Sequence, residues 1–340
     1  MKKLNGYMAG VNFGHWLSQY RGQGEEHWST YITEPDYKRL QEWGADHVRL
    51  PVDYFFFEDA ETGKYIPEHL TYIDNCLALC KKYGLNMILD LHHAPGFFFG
   101  NGAKNDLFTN RDRQLHFIRI WKDFATRYQS EGDNLIFELL NELVWENSDP
   151  WNALWQETVR EIEAISPHRR IIIGGNHYNA VRELKNLAIT DDPNVIYNFH
   201  CYEPFLFTHQ RAGWNAKTRD YTVPTEYPVP LKKHTAFFRE GVPANLQKYD
   251  YLDKTFLYDF LSEARDFAQK HDKILYCGEY GVIFNAEMED LIRWHRDICD
   301  IFNEYGVGHA VWSYRGFNRV TDNQNQPESM ELVKIICDKS

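Results

Sequence analysis

The segment His47-Val-Arg-Leu-Pro-Val-Asp53 is followed by an amphipathic pattern over residues 70–83 and then by Asn86-Met-Ile-Leu-Asp-Leu-His92. The two outer runs are short and mostly apolar, as buried strands are, whereas the stretch between them has apolar residues three and four positions apart, as a helix does. Strands that alternate with amphipathic helices are typical of a parallel sheet. The segment therefore predicts the repeating unit of an α/β fold.

The same alternation continues in both directions along the chain. The runs with strand character are residues 7–13, 47–53, 86–92, 134–142, 170–176, 195–202, 273–281 and 308–314. Helical patterns between them include residues 34–43, 70–83, 111–128, 150–165 and 287–305. Eight such units in 340 residues are typical of a closed (β/α)8 TIM barrel, although a doubly wound open sheet with extra strands has the same local pattern. No low-complexity stretch or linker divides the sequence, which predicts a single domain over residues 1–340.

One interval between predicted strands is longer than the others. Strands six and seven are roughly 70 residues apart, where a βα unit of a barrel needs about 40. Residues 203–251 are rich in aromatic side chains and contain Pro204, Pro224, Pro228, Pro230 and Pro243. We interpret residues 203–251 as a lid or subdomain inserted on the strand-six loop, at the face of the barrel where substrate clefts form.

Charge and composition exclude several classes of partner. The sequence has 37 basic and 49 acidic residues, a formal net charge of −12, which repels nucleic acid and anionic lipid. No apolar run is long enough to span a membrane. Aromatic content is 16%, with 10 Trp and 21 Tyr, and flat rings can pack against sugars as well as fill a core. We expect no nucleic-acid or membrane partner and a monomeric protein.

Cysteine spacing and the N-terminus indicate an intracellular setting. The six cysteines, at positions 76, 80, 201, 277, 299 and 337, have neither zinc-site spacing nor the density of a disulfide scaffold, and we expect buried free thiols. The start Met1-Lys-Lys-Leu-Asn-Gly-Tyr-Met-Ala-Gly10 lacks the apolar core of a signal peptide. The sequence predicts a cytoplasmic protein, or a secreted one if a leader has been removed.

Polar side chains cluster where the predicted strands end. In a (β/α)8 barrel these ends share one face, and catalytic groups lie there. The residues placed at that face are Arg49, His92, His93, Asn141, Glu142, His200, Tyr202, Glu279 and Trp312. Glu142 and Glu279 face each other from strands four and seven, which suits cleavage of a glycosidic bond. A carboxyl separation of about 5–5.5 Å predicts a retaining mechanism, and about 6.5–9.5 Å an inverting one.

These residues belong to seven motifs that occur in order along the chain. The motifs are Gly10-Val-Asn-Phe-Gly-His-Trp16, His47-Val-Arg-Leu-Pro51, Leu89-Asp-Leu-His-His93, Phe137-Glu-Leu-Leu-Asn-Glu142, Asn198-Phe-His-Cys-Tyr202, Cys277-Gly-Glu-Tyr-Gly281 and Ala310-Val-Trp312. Together they resemble glycoside hydrolase family 5, particularly bacterial endoglucanases without an export signal. The resemblance covers nearly the whole chain.

The resemblance implies a retaining endo-acting hydrolase of β-1,4 or mixed β-1,3/1,4 glucan, working by double displacement. It implies Glu142 as general acid/base and Glu279 as nucleophile, with Asn141 on the sugar 2-hydroxyl. Trp312 would lie under the sugar, while His92 and His200 would hold hydroxyls or carboxylates. Arg49 and Tyr202 would keep Glu279 ionised, by charge and by hydrogen bonding. No cofactor or metal is expected, and the expected partner is a β-glucan oligosaccharide or polysaccharide.

Other functions remain open at this level. The same machinery serves β-mannanases and exo-β-1,3-glucanases, because fold and acid/base pair do not encode the sugar. A non-catalytic carbohydrate-binding barrel is disfavoured because both glutamates are present. A metal-dependent hydrolase using His92, His93 and His200 is disfavoured because adjacent strand residues point to opposite faces.

Several further residues have an interpretation of their own. Possible sugar subsites are Trp16, Phe55, His93, Trp145, His209 and Trp214, for each of which core or loop packing is an equal alternative. Asp90 and Glu138 are expected to be structural. At roughly 3.3 Å per residue, Glu138 would lie about 13 Å below Glu142 on one strand, in an ion pair. His15 and Glu203 depart from the family pattern, and Glu203 would add a third carboxylate near Glu279.

Overall fold

A computed structural model describes residues 1–20, 24–59, 61–100, 105–316, 320–322 and 326–340. Eight parallel strands close into a barrel in which each strand pairs with its neighbours in sequence and the last pairs with the first. The strands are β1 (Ala9–Asn12), β2 (His47–Asp53), β3 (Asn86–His93), β4 (Leu135–Glu138), β5 (Ile171–Gly174), β6 (Val195–Cys201), β7 (Leu275–Tyr280) and β8 (Gly308–Val311). The predicted (β/α)8 barrel is confirmed.

Helices fill the connections and surround the strands. The longer ones are Glu34–Trp43, Pro67–Lys82, Arg111–Arg127, Asp149–Glu163, Lys254–His271, Met288–Tyr305 and Met330–Ile336. Shorter helical segments are Glu25–Thr30, Tyr54–Phe57, Asn176–Asn179, Val181–Asn186, Phe205–Thr208, Ala216–Asp220 and Leu231–Phe237. Local sequence sets their ends: Asn110 accepts hydrogen bonds from the first turn of Arg111–Arg127, and Gly306 ends Met288–Tyr305 with φ of 70°.

Two apolar layers hold the barrel. The inner one is small and includes Ile88, Ile136, Ile172, Ile196 and Tyr276, from five consecutive strands. The much larger outer layer lies between strands and helices and takes the alternate strand residues. Above the inner apolar layer the interior is polar: Asn12, Arg49, Asp90, Glu138 and Asn198 are fully buried. Burying so many polar groups requires mutual hydrogen bonds, and this polar layer is the floor of the candidate site.

Irregular strand pairing changes which side chains reach the mouth. In the β6/β7 pair, Phe199 lies opposite Cys277 but His200 lies opposite Glu279, which leaves Gly278 in a bulge. A Cβ at Gly278 would lie 2.9 Å from the Asn198 amide and 3.0 Å from His200 Nε2. Glycine is therefore required there for Glu279 and His200 to face the interior at the same level.

Residues 203–251 contain short helices and most of a small antiparallel sheet of two strands, each two residues long. Val229–Pro230 pairs antiparallel with Tyr251–Leu252. The interpretation of residues 203–251 as an inserted lid or subdomain, within a single domain of 1–340, stays a prediction. Among the described residues, no helix has the length and apolar character needed to cross a membrane.

Predicted boundaries differ most at the fourth strand. The prediction extended it over residues 134–142, whereas β4 ends at Glu138. Hydrogen bonds from Leu139 N to Ile172 O and from Asn141 N to Leu91 O, each 3.1 Å, still attach the following segment to both neighbours. Apolar Leu139 and Leu140 made this segment look like strand, although the chain already turns there. The six cysteines are buried and free, as expected.

Candidate active site

Arg49 is the centre of the polar layer. Its Nε and Nη2 donate to the two carboxylate oxygens of Glu138, at 2.7 and 2.9 Å. Its Nη1 donates to Glu279 Oε1 at 3.0 Å, and Nη2 lies 3.0 Å from Asp90 Oδ2. Burial alone would lower the pKa of Arg49, but the three carboxylates raise it well above its ordinary value. The expected position at the end of β2 is wrong, since Arg49 is the third residue of that strand and lies below the mouth.

Two asparagines complete the bonds of this layer. Asn12 Oδ1 accepts from Arg49 Nη1 at 2.9 Å, and its amide donates to the Gly278 carbonyl at 2.9 Å. Asn198 donates to Glu138 Oε1 at 3.0 Å and accepts from Gly278 N at 2.8 Å. Both asparagines therefore fix the bulge that carries Glu279. Burial raises the pKa of Glu138, which Arg49 opposes.

Glu279 is held on both carboxylate oxygens. Arg49 donates to Oε1, and the Tyr202 hydroxyl donates to Oε2 at 2.8 Å. Both expected contacts are present. Burial nevertheless raises the pKa of Glu279 to about 7, with Glu142 adding to the rise and His200, Arg49 and Tyr202 opposing it. The two donors therefore limit the rise in pKa rather than bringing it below the ordinary value.

Glu142 lies on the turn after β4, with φ of 27°. A non-glycine residue in this left-handed region is strained, and such strain is concentrated at functional sites. Burial raises the pKa of Glu142 to about 8, against Arg49 and with help from the charges of Asp90 and Glu138. Arg49 and Tyr202 donate to Glu279, whereas Glu142 is bonded to the neutral ring of His200, so the negative charge is favoured on Glu279 and a shared proton on Glu142.

His200 connects the two carboxyl groups. Its Nδ1 is hydrogen-bonded to Glu142 Oε1 at 2.9 Å and lies 3.7 Å from Glu279 Oε2. Burial lowers the pKa of His200 to about 4, so the ring is neutral near pH 7. The Asn179 amide lies 3.3 Å from His200 Nε2 and fixes the other side of the ring.

The same three residues have the spacing of metal ligands. One donor atom each from Glu142, His200 and Glu279 lies within 4.8 Å of the others. His200 is hydrogen-bonded to Glu142, and the Tyr202 hydroxyl donates to Glu279, so both carboxyl groups have protein partners. In the described ranges, neither His92 nor His93 belongs to a group with ligand spacing. The three histidines of the disfavoured metal-dependent alternative therefore do not form one ligand group among the described residues.

His92 is fixed by Asp90, to which the sequence assigned no role at the site. Asp90 Oδ2 lies 2.7 Å from His92 Nδ1, and Arg49 is bound to the same oxygen. The Asn141 amide lies 3.4 Å from His92 Nε2, while Asn141 Oδ1 accepts from Arg49 at 2.8 Å. Burial lowers the pKa of His92 well below its ordinary value. Asp90 thus orients a histidine and, through it, Asn141.

Trp312 forms one wall of the mouth. Its ring is parallel to that of His92, with centroids 5.6 Å apart and planes 7° apart. An added Cβ at Gly14 would lie 3.0 Å from the Trp312 ring, so the β1 loop approaches the tryptophan closely. Trp312 and His92 therefore share one orientation at the entrance to the carboxyl pair.

The candidate subsite residues differ in burial and in their contacts. Trp16 is buried, and its Nε1 donates to the Trp28 carbonyl at 2.8 Å, which favours the packing alternative over a sugar subsite. His93 is buried as well, with Nδ1 2.6 Å from Asp53 Oδ1. Trp145 is half-buried, and Trp214 is exposed with its ring edge towards His209 at 6.0 Å. Both tryptophans and His209 remain candidates for sugar contacts.

Sequence reasoning missed several supporting residues, among them Asp90, whereas the ion pair that it predicted for Glu138 is present, with Arg49. Asp90 and His92 are two positions apart on one strand, which puts them on one face, and that spacing was the available signal. Glu138 lies in the same network as Glu279, since Arg49 bonds to both. Glu203 Oε2 accepts from Phe205 N at 3.1 Å, a local bond, and Glu203 is not among the principal influences on the pKa of Glu279.

The family model for Cellulase (glycosyl hydrolase family 5) matches residues 11–318. Endoglucanase C of Acetivibrio thermocellus is 42% identical over 341 residues, covering 97% of this chain and 98% of that protein. Cellodextrinase A of Ruminococcus flavefaciens is 35% identical over 311 residues, covering 90% and 85%. Among solved structures, Thermotoga maritima Cel5A in complex with cellobiose has a TM-score of 0.80 at 22% identity, covering 98% and 100%.

Proposed function

The chain belongs to the cellulase family, glycosyl hydrolase family 5, and is an endo-acting hydrolase of β-linked glucan; we propose that it cleaves with net retention, using Glu142 as acid/base and Glu279 as nucleophile. The observation that carries this mechanism is the spacing of the two glutamates. A carboxylate oxygen of Glu142 lies within 4.8 Å of one of Glu279. Retaining enzymes have carboxyl groups about 5–5.5 Å apart, whereas inverting enzymes leave room for a water at about 6.5–9.5 Å.

In the first step, the ionised Glu279 attacks the anomeric carbon while the protonated Glu142 gives its proton to the leaving oxygen. The two donors to Glu279, Arg49 and Tyr202, support this distribution of one proton. Arg49 and Tyr202 hold the two oxygens of Glu279 in place, which fixes the direction of attack. The products of this step are a glycosyl ester on Glu279 and a free reducing-end fragment.

In the second step, Glu142 acts as a base. Ester formation removes the negative charge of Glu279, and because that charge lies within 4.8 Å, its loss lowers the pKa of Glu142. Glu142 then takes a proton from water, which attacks the anomeric carbon and releases Glu279 as a carboxylate. Two inversions give net retention.

Asn141 is proposed to hold the sugar 2-hydroxyl. Its carbonyl oxygen is taken by Arg49, and its amide lies at the longer distance of 3.4 Å from His92. The amide therefore faces the site with capacity to donate to a hydroxyl, an interaction that strengthens in the oxocarbenium-like transition state. Trp312, parallel to His92, would support the same sugar ring.

The expected substrate is β-1,4 or mixed β-1,3/1,4 glucan, and the expected state is a monomer. A panel of barley β-glucan, cellulose, laminarin and mannan oligomers tests the substrate. We expect a fast fall in barley β-glucan viscosity with few reducing ends, the sign of internal cleavage. Preferred hydrolysis of mannan, or release of glucose alone from laminarin, would instead identify a mannanase or an exo-1,3-glucanase.

Covalent labelling tests the nucleophile. A 2-deoxy-2-fluoro cellobioside with a good leaving group is expected to form a stable ester, located by peptide mass spectrometry on Glu279. The Glu279→Gln variant is the matched control and is expected to stay unlabelled. Labelling of any other carboxylate would refute the assignment.

A further inference from the structure

Two exposed phenylalanine rings lie together at the barrel mouth, and the sequence indicates Phe55, but not Phe98, as a possible sugar subsite. Phe55 follows β2 and is 36% exposed, and Phe98 follows β3 and is 38% exposed. Their centroids are 5.8 Å apart and their planes differ by 12°. Large aromatic side chains normally gain by burial. An exposed parallel pair beside a cleft is therefore a candidate binding surface.

The pair is supported from behind by further rings. The His93 ring lies 4.7 Å from Phe98 and 6.2 Å from Phe55, and Phe99 stacks on His93 at 4.6 Å with planes 4° apart. Asp53 fixes His93 through Nδ1 at 2.6 Å. The exposed rings consequently rest on a layer whose orientation is set by a buried carboxylate.

The backbone that carries Phe98 is also fixed. The Asn105 side chain accepts from Phe98 N and donates to Phe98 O, both at 2.9 Å. Gly96 has φ of +77°, and a Cβ there would lie 2.4 Å from Asp106 Oδ1, so this turn requires glycine. The loop thus holds Phe98 in one position before any ligand arrives, which reduces the entropy lost on binding.

The supported pair is continuous with the catalytic cleft. The Phe99 ring meets His92 edge-on at 5.3 Å, and His92 is parallel to Trp312, the proposed platform of the reacting sugar. Glu142, which protonates the leaving group, is bonded instead to His200 on β6. The ring series therefore starts at the reacting sugar and leads away from the leaving-group side.

We propose that Phe55 and Phe98 form a distal subsite that binds a glucosyl residue of the substrate on the non-reducing side of the cleavage point. This inference rests on the proposed function. A β-linked glucosyl ring carries its hydroxyls at the equator and presents C–H groups on both faces, which suit packing on flat aromatic rings. The subsite selects longer glucans over short ones without contacting the reacting atoms.

Aryl glycosides of different length test the subsite, because the aryl group occupies the leaving-group side and extra sugars extend only the other way. We compare kcat/KM for p-nitrophenyl β-cellobioside and β-cellotetraoside. In the double variant Phe55→Ala/Phe98→Ala, the ratio of tetraoside to bioside is expected to fall about tenfold, equivalent to about 1.4 kcal/mol. Phe98→Tyr alone, which keeps the ring, is expected to preserve the ratio.

Tyr251→Ala is the matched control, since Tyr251 is 53% exposed on the small antiparallel sheet and truncation there removes a similar ring. Its ratio is expected to stay at the wild-type value. A wild-type ratio in the double variant, or an equal loss on both glycosides, would overturn the subsite alone. Wild-type protein inactive on every glucoside would overturn the proposed function as well.

Discussion

Replacing Tyr202 by phenylalanine isolates the control of the proton at the catalytic pair. The substitution removes one hydroxyl, which donates to Glu279 Oε2 at 2.8 Å, and keeps the ring. That bond stabilises the ionised form of Glu279, so its loss raises the pKa of the carboxyl. Because the nucleophile must be ionised, activity that disappears as pH falls through this pKa will disappear at higher pH.

The size of the effect follows from the bond that is lost. A hydrogen bond to a charged group contributes about 1.5–3 kcal/mol, and a change of one in pKa corresponds to about 1.4 kcal/mol. The pKa of Glu279, about 7 in the wild type, should therefore rise by about one to two. It then equals or exceeds that of Glu142, about 8, and part of the protein carries the proton on the wrong glutamate.

The assay is the pH dependence of kcat/KM on an aryl cellobioside, which reports the free enzyme. In Tyr202→Phe we expect the acidic limb to move up by about one pH unit or more and the maximum to fall. Tyr65→Phe is the matched control, since the Tyr65 hydroxyl donates to Asp123 Oδ2 at 2.6 Å on the surface. An acidic limb that stays in place, or moves to lower pH, would refute this account of Glu279.

Three further changes have defined outcomes. Glu142→Ala should lower kcat on glucan about 10²–10⁴-fold, because the leaving oxygen of glucan needs a proton. On an aryl glycoside with a good leaving group, the glycosylation rate measured by pre-steady-state kinetics should fall much less. Equal losses on the two substrates would argue against the acid role. Arg49→Lys should lower the free energy of unfolding, measured by urea titration, by about 3–5 kcal/mol. An ammonium group cannot bind Glu138, Glu279 and Asp90 together, so buried charge is left unpaired. A variant as stable as the wild type would contradict the central place of Arg49. Dialysis against EDTA should leave kcat unchanged, because His200 holds Glu142 while Arg49 and Tyr202 hold Glu279. Lost activity restored by a divalent ion would instead support a metal mechanism.

The barrel was predictable because its signal is repeated. Each βα unit carries an apolar run and an amphipathic helix, so an error at one boundary did not change the count of eight strands. Residues near strand ends were found in the same way, since parallel strands end at one face. Irregular backbone was not predictable: regular alternation would place Glu279 on the outer face with Cys277, and the bulge at Gly278 turns Glu279 to the interior instead.

Glu138 shows what a residue count along one strand can and cannot predict. Counting about 3.3 Å per residue separated Glu138 from the catalytic level by about 13 Å, as if the strand were straight to Glu142. The strand ends at Glu138, and Arg49 bonds to both Glu138 and Glu279 through different nitrogens. The ion pair expected for Glu138 is therefore present, but its partner Arg49 also contacts Glu279, which a residue count along one strand does not indicate. The bond from Trp16 Nε1 to the Trp28 carbonyl is likewise not indicated by any local pattern.

The stereochemistry of the first product tests the proposed mechanism most directly. Proton NMR of an early reaction mixture, recorded before mutarotation, distinguishes the anomeric proton of a newly formed β-product from that of an α-product. With Glu142 and Glu279 carboxylate oxygens within 4.8 Å, the β-anomer is expected first, followed by slow appearance of the α-anomer. An α-anomer formed first would mean single displacement and would contradict Glu279 as nucleophile.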